Sequence, residues 1–399
     1  MQKQKVLVVD DSVFMRKIIS DMIGEDPRFE VLDTARNGKE AVQKVVQLAP
    51  DVVTLDVEMP EMNGLEALKR IMAERPTPVI MLSSLTEEGA KTTIEALEAG
   101  AFDFVRKPSG SISLDLFKVQ EMLLDKLYVA ATSRIKPLES KLPPPPPLAR
   151  PAPPVGPKPV KPPAEPRAAK ERRLEAPSAV TRAAIPPPVP TSPTAASKPL
   201  IGGRVDQLVA IGTSTGGPRA LHQVLTGLPT SFPAPIVIVQ HMPPNFTRSL
   251  AQRLDSNSHI RVIEAEQGME LENGTAYIAP GGWHMGVVRH ELGGYRVQLS
   301  QEEPRGGHRP CVDTLFETLI PLKELRRHVL LLTGMGSDGA QGMLALKQAG
   351  AVLTIAESSE TCIVYGMPRA AKEAGGAMLE LPLHQMASKL VEAVAGNAK

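Results

Sequence analysis

At 399 residues the chain exceeds one typical domain, and its length suggests two or three. Its formal net charge of +1 lends no support to a nucleic-acid partner, and no stretch approaches the roughly 18 apolar residues of a membrane span. The first apolar run stops at Asp10-Asp11, too early for a signal-peptide core. Two cysteines, Cys311 and Cys362, lie far apart with no Cys-x-x-Cys or Cys/His cluster, which indicates neither a disulfide framework nor a zinc site. A soluble cytoplasmic protein without direct membrane insertion is expected.

In the first segment, residues 1–130, the runs Val6–Val9, Val31-Leu32, Val52–Leu55, Val79–Leu82 and Phe102–Val105 read as short buried strands. Helical patterns alternate with them at Val13 to Ile23, Glu40 to Leu48, Leu65 to Ala73, Glu87 to Ala99 and Leu114 to Val129. Five βα units predict a five-stranded, doubly wound parallel sheet whose functional residues gather at the strands' carboxyl ends. Asp10 and Asp11 close the first strand, Asp56 the third, Ser83 the fourth, and Lys107-Pro108 the fifth. Three carboxylates converging at one edge repel each other unless a hard cation sits among them, and few protein ligands with several waters suit magnesium. A lysine and a hydroxyl complete a phosphoryl-transfer site, with Asp56 positioned for in-line attack.

At Val8-Val9-Asp10-Asp11-Ser12, Asp56 to Gly64, Ser83 and Lys107-Pro108 the segment resembles a response-regulator receiver domain. The resemblance implies that Asp56 accepts phosphate from a histidine kinase. It also implies that Asp10, Asp11, Asp56 and the Glu58 backbone carbonyl hold Mg2+, and that Ser83 and Lys107 sense the phosphoryl group. Phe104 matches the family's aromatic switch position.

From residue 131 to 200 the composition changes to Pro, Ala, Lys and Arg, with five consecutive prolines at Pro143 to Pro147. More than half of the chain's 39 prolines lie here, and apolar periodicity is absent. Such a stretch buries too little apolar surface to offset its ordering entropy, so a polyproline-II-biased spacer is expected. Its Pro-x-x-Pro spacings are read as incidental to that role rather than as docking ligands.

In the third segment, residues 201–399, the apolar run Leu208 to Ile211 ends in Gly212-Thr213-Ser214-Thr215-Gly216-Gly217-Pro218 and leads into the helical pattern of Ala220, Leu221, Val224 and Leu225. That strand, turn and helix present Ser214 to the crevice where parallel α/β sheets bind ligands. Ile236 to Val239 precedes Gln240-His241, and Val329 to Leu332 precedes Thr333 to Ala340, which contains Asp338. If the three strands are parallel neighbours, a nucleophile, a base and an orienting carboxylate reach one crevice. Periodicity leaves His222, His259, His284, His290, His308 and His328 as competing bases, His284 being second to His241. A Gly-rich nucleotide-binding turn is the alternative, although a full Gly-x-Gly-x-x-Gly is missing.

Gly212 to Pro218, Gln240 to Pro244, Ala276 to Gly282, Arg309 to Asp313 and Leu332 to Ala340 resemble the chemotaxis protein-glutamate methylesterase family, CheB. The resemblance implies a Rossmann-like parallel-sheet esterase domain without a cofactor. Ser214 would be the nucleophile, His241 the general base, Asp338 its orienter, and the Met335 amide an oxyanion-hole donor. It further implies hydrolysis of glutamate methyl esters on chemoreceptors and, for many members, deamidation of particular glutamines, under control of the receiver. Cys311 stands where serine is usual, and Ala356-Glu357 where Gln-Asp is common. Neither departure is expected to touch the triad, and Cys311 is read as a packed small side chain rather than a redox group.

Overall fold

The computed structural model describes residues 3–84, 86–107, 114–133 and 203–396. Pro108 and the proline-rich stretch expected to be a spacer lie outside them.

The N-terminal lobe alternates strands and helices: β1 Gln4–Val9, α1 Val13–Gly24, β2 Phe29–Ala35, α2 Gly38–Leu48, β3 Val52–Asp56, α3 Gly64–Glu74, β4 Val79–Ser83, α4 Glu87–Glu98, β5 Asp103–Arg106 and α5 Leu114–Thr132. The sheet is parallel, in the order β2-β1-β3-β4-β5. Val6 to Val9 and Val52 to Leu55 are fully buried, as continuous apolar strands covered on both faces must be. Ser12, Asn37, Asn63 and Thr86 each accept a hydrogen bond from the backbone three residues on, so α1 to α4 start where side-chain caps satisfy their first amides. The last strand begins one residue later than its apolar run suggests, because Phe102 precedes the β4 pairing that starts at Asp103.

The C-terminal lobe continues with β6 Gln207–Thr213, α6 Gly217–Thr226, β7 Ile236–Gln240, α7 Phe246–Asn257, β8 Arg261–Glu264, β9 Thr275–Ile278, β10 His284–Arg289 and β11 Tyr295–Ser300. It ends with α8 Val312–Leu319, β12 Arg326–Leu331, α9 Ala340–Gln348, β13 Leu353–Glu357, α10 Met367–Glu373, β14 Leu379–Leu381 and α11 Leu383–Ala395. Seven strands form one parallel sheet, β14-β13-β12-β6-β7-β9-β8, while β10 and β11 pair separately as an antiparallel hairpin. The order reverses beside β6, and that switch point is where an open parallel sheet leaves a crevice at its carboxyl edge. Register sets the level: Thr213 is opposite Gln240, and Gly212 is opposite Leu331. Ser214 and His241 therefore leave adjacent strands at the same height.

Both lobes belong to one compact unit. The α4 helix packs on α6 and α7. At this contact Phe104 stacks on Phe246 with ring centroids 4.6 Å apart, and Arg253 grips Glu98 through two nitrogens at 2.9 and 2.7 Å.

Gly212 tests the packing below the crevice. A Cβ there would stand 2.2 Å from Val312 Cγ1 and 2.8 Å from Leu331 Cδ1, whereas a Cβ on Gly24 would meet nothing within 4 Å. Gly212→Ala should cost about 1–3 kcal/mol as an overpacked core. Gly24→Ala should be neutral or slightly stabilising. Thermal unfolding of the full chain reads both, and equal midpoints for the two variants would contradict the packing described.

Candidate active site

The turn after β6 is pinned from both sides. Ser214 donates its backbone N–H to the Thr333 carbonyl at 3.0 Å, and its own carbonyl accepts from the Gln240 amide at 3.0 Å and from Gly217 N–H at 2.8 Å. Thr333 donates its hydroxyl to the Thr215 carbonyl at 2.9 Å and its N–H to the buried Glu357 carboxylate at 2.9 Å. Gly217 is required here by close approach, since a Cβ would fall 1.9 Å from Gln240 Oε1 and 2.5 Å from Thr213 Oγ1. A Cβ on Gly216 would meet Ile363 at 2.8 Å. Protein atoms fill the space beside both glycines, so the turn does not have the open cradle that the nucleotide-binding alternative needs.

His241 and Asp338 meet at 2.7 Å, from imidazole Nε2 to carboxylate Oδ2. Asp338 accepts three further hydrogen bonds: from Val312 N–H at 2.7 Å, Asp313 N–H at 2.9 Å and the Cys311 thiol at 3.1 Å. Burial alone would raise its pKa, but the His241 bond and charge and the two amides outweigh that and hold the carboxyl well below the usual range. Cys311 thus touches the Asp338 carboxylate, contrary to the expectation that it stands clear of the triad. The reason is that α8 starts with its N-terminal amides on that carboxylate, which brings the residue before the helix within reach. Burial pushes the Cys311 thiol up to about 11.

The other nitrogen of His241, Nδ1, is buried and has no hydrogen-bond partner. Ser214 and His241 line one cavity of about 320 Å³ together with Met242, His308 and, from the N-terminal lobe, Phe104 and Lys126. Gly334 adjoins the serine so closely that a Cβ there would lie 2.9 Å from Ser214 Cβ, which sets Met335 next to the same turn. The N-terminal lobe also holds the turn directly: Thr215 donates its hydroxyl to Asp103 Oδ2 at 2.5 Å, and that buried carboxylate pairs with Lys126 at 2.8 Å. His284 bonds the Glu303 carbonyl at 3.2 Å, and His328 is buried within β12, so neither joins this group.

In the N-terminal lobe Asp10, Asp11 and Asp56 bring one carboxylate oxygen each within 4.8 Å of one another. Lys107 bridges Asp56 at 2.6 Å and Asp10 at 2.8 Å. Burial pushes Asp56 up to about 6, partly offset by Lys107. Hard oxygen ligands on adjacent strand ends fit Mg2+. Glu58 is exposed, and its N–H donates to Asp56 Oδ1 at 3.4 Å. The Ser83 hydroxyl accepts from Thr93 at 2.7 Å and lies within donating distance of the Ser84 and Gly89 carbonyls, at 3.2 and 3.4 Å.

Sequence reasoning missed Asp103, Thr215, Lys126 and the place of His308. An aspartate inside the apolar run Phe102 to Val105 was a signal, because a buried charge needs a partner.

An acidic strand-end cluster in one lobe, and in the other a cavity lined by Ser214 and by the His241 that Asp338 holds, are the features of a receiver domain joined to a parallel-sheet α/β esterase domain. Family models agree: a response regulator receiver domain matches residues 6–115 and a CheB methylesterase domain matches residues 209–390. A protein-glutamate methylesterase/protein-glutamine glutaminase of Geobacillus kaustophilus is 48% identical over 394 residues, 99% of each chain. One of the same name from Halalkalibacterium halodurans is 47% identical, covering 92% of each chain. The CheB methylesterase catalytic domain of Thermotoga maritima, a solved structure, is 44% identical and covers 47% of this chain and 97% of that one, with a TM-score of 0.45. The chain belongs to the CheB methylesterase family.

The two thiols allow a direct check of the site's burial. Cys311 and Cys362 are both buried, and a thiol titrating near 11 carries almost no thiolate at neutral pH. Iodoacetamide at pH 7.5 should leave both unmodified in the native chain over a time that fully labels the unfolded chain, as read by mass spectrometry. Rapid native labelling at Cys311 would contradict the described environment of Asp338.

Proposed function

We propose that this chain hydrolyses the γ-methyl esters of glutamate side chains on methylated chemoreceptors, deamidates particular glutamines there, and is switched by phosphorylation of its receiver domain. The observation that carries the reading is the part-buried His241–Asp338 pair, contributed by the segments that follow the two strands flanking the one that presents Ser214.

Asp338 holds Nε2 of His241, which leaves Nδ1 as the nitrogen able to take the Ser214 proton. The serine oxygen then bonds to the ester carbonyl carbon, with Met335 N–H offered to the developing oxyanion. His241 returns the proton to the departing methoxide, giving methanol, or to the nitrogen of an amide, giving ammonia. Water, deprotonated by the same histidine, splits the acyl-serine to a carboxylate and restores the hydroxyl. Asp338 steadies the imidazolium formed in each half.

In the receiver, Asp56 would take phosphate from the chemotaxis histidine kinase. Asp10, Asp11, Asp56 and the Glu58 carbonyl would hold Mg2+, which when bound offsets phosphoryl charge. Lys107 already spans Asp10 and Asp56, and Ser83 would turn from Gly89 to meet the new group. Asp103, Phe104 and Glu98 hold the receiver over the Ser214 turn, and loosening that contact would admit the receptor. Acting on the cytoplasmic helices of receptors with a kinase as phosphodonor, the protein would work in the cytoplasm. Among the described residues no helix is long and apolar enough to cross a membrane.

Methanol release from methylated receptor membranes tests the chemistry. Ser214→Ala should lower it by at least about 10³-fold, His241→Ala comparably, and Asp338→Asn less. A near-normal rate for Ser214→Ala would sink the assignment.

A second prediction concerns control. Asp56→Asn, or a chelator, should abolish stable aspartyl phosphate from small phosphodonors, as read by radiolabel retention. Phe104→Ala, which removes the stack on Phe246, should raise the unphosphorylated rate by about 5- to 150-fold, the span of ordinary coupling energies, and shrink the response to phosphodonor. An unchanged unphosphorylated rate would show that the receiver does not restrain the site through this contact.

A further inference from the structure

The His241 ring is held on a second side. His308 stacks on it with ring centroids 3.8 Å apart and planes only 7° from parallel. The loop that carries His308 is fixed at several points. Arg305 and His308 exchange both backbone hydrogen bonds, at 3.1 and 3.0 Å. They close a two-residue turn whose central glycines, Gly306 and Gly307, lie at φ 60° and 83°, the sign pattern of a type I′ turn. Nothing lies within 4 Å of a Cβ built on either glycine, so backbone conformation rather than space is what calls for them. Before the turn, Arg305 pairs with Glu317 at 2.5 Å. After it, Arg309 donates Nη1 to the carbonyls of Gln301 and Glu302 at 3.1 and 2.9 Å. A surface loop tied down this way delivers a side chain to a set place.

We propose that His308 is a positioning residue: it gives the His241 ring a flat platform that stops it turning, so that with Nε2 held by Asp338, Nδ1 is kept for the Ser214 hydroxyl. The inference rests on the reading of His241 as the base. One hydrogen bond at Nε2 fixes a point on the ring but leaves the plane free to swing, and the stack removes that freedom. Misplacement of a general base by even an ångström is costly. Burial, then the neighbouring His241, push His308 down to about 4; Asp338 raises it and Lys126 lowers it. At neutral pH His308 is therefore uncharged. An uncharged ring presents an electron-rich face to the imidazolium that forms when His241 takes the serine proton, whereas a charged one would oppose that proton.

The test uses the full chain with phosphodonor, measuring methanol release from methylated receptor membranes as kcat and KM separately. His308→Leu, similar in bulk but not planar, should lower kcat on the order of 10- to 100-fold with KM nearly unchanged. His308→Phe, which restores a planar face, should recover most of that loss. Gly306→Ala, which strains the turn without adding an atom to the cavity, should lower kcat in the same sense. If His308→Leu keeps full kcat while Ser214→Ala is inactive, the positioning role is overturned and the triad stands. If His308→Phe falls as far as His308→Leu, the flat stack is not the operative property and the proposal is likewise overturned. If Ser214→Ala stays active, the triad reading fails and this one with it.

Discussion

A carboxylate removed from water must find donors, and Asp338 finds four from three parts of the chain. His241 comes from the end of β7, Val312 and Asp313 from the first turn of α8, and Cys311 from the residue before that helix. Leaving any one of these out would strand charge in a poorly solvated place, at a cost of a few kcal/mol for a broken buried partner. The carboxylate thereby ties the loop after β12 to the histidine and to α8. Its depressed pKa also makes the tie a source of stability that is present above the ordinary aspartate range and lost as pH falls toward the folded value. The α6 and α9 helices that flank the site start without side-chain caps, at Gly216 and Gly339 in left-handed conformation. In α9 a side chain from outside the helix takes that role, since Gly342 N–H donates to the Asp313 carboxylate at 2.6 Å.

The same economy of charge joins the receiver to the esterase. Asp103 is buried in β5, where a lone carboxylate would be unfavourable, and it is satisfied by Lys126 of its own lobe and Thr215 of the other. Thr215 follows Ser214 directly, so one hydrogen bond links the receiver's last strand to the turn that presents that serine. The Phe104–Phe246 stack and the Arg253–Glu98 pair extend the contact along α4 and α7. A partly exposed ion pair of this kind adds little by itself. The aromatic stack and the buried carboxylate are the terms that repacking of the receiver would disturb.

Much of this was readable from residue types in order. Strand-end aspartates, a lysine and a hydroxyl at successive βα units defined the receiver, and three apolar runs each followed by a polar residue defined the esterase crevice. The parallel neighbours β12, β6 and β7 make that second reading geometric. What stayed hidden depends on loops and surfaces. Eight histidines look alike in sequence, and only the Arg305 to His308 turn brings His308 against His241. Asp338 in its glycine-rich turn reads equally as a helix cap until α8 is seen to aim its amides there. Cys311 looks like a filler because its thiol's partner lies 27 residues away. Ser83 has the residue type of a phosphoryl sensor, but its rotamer is set by Thr93 and Gly89, which no strand pattern reveals.

The central claim is that Ser214 is the reactive oxygen in a site the receiver covers. Treatment of the full chain with a serine-directed phosphonate, followed by peptide mass spectrometry, reads it directly. The account predicts a single adduct on Ser214, formed faster after phosphodonor is added and not formed when His241 is replaced. An adduct on another serine, or none under conditions where receptor methyl esters are hydrolysed, would contradict it.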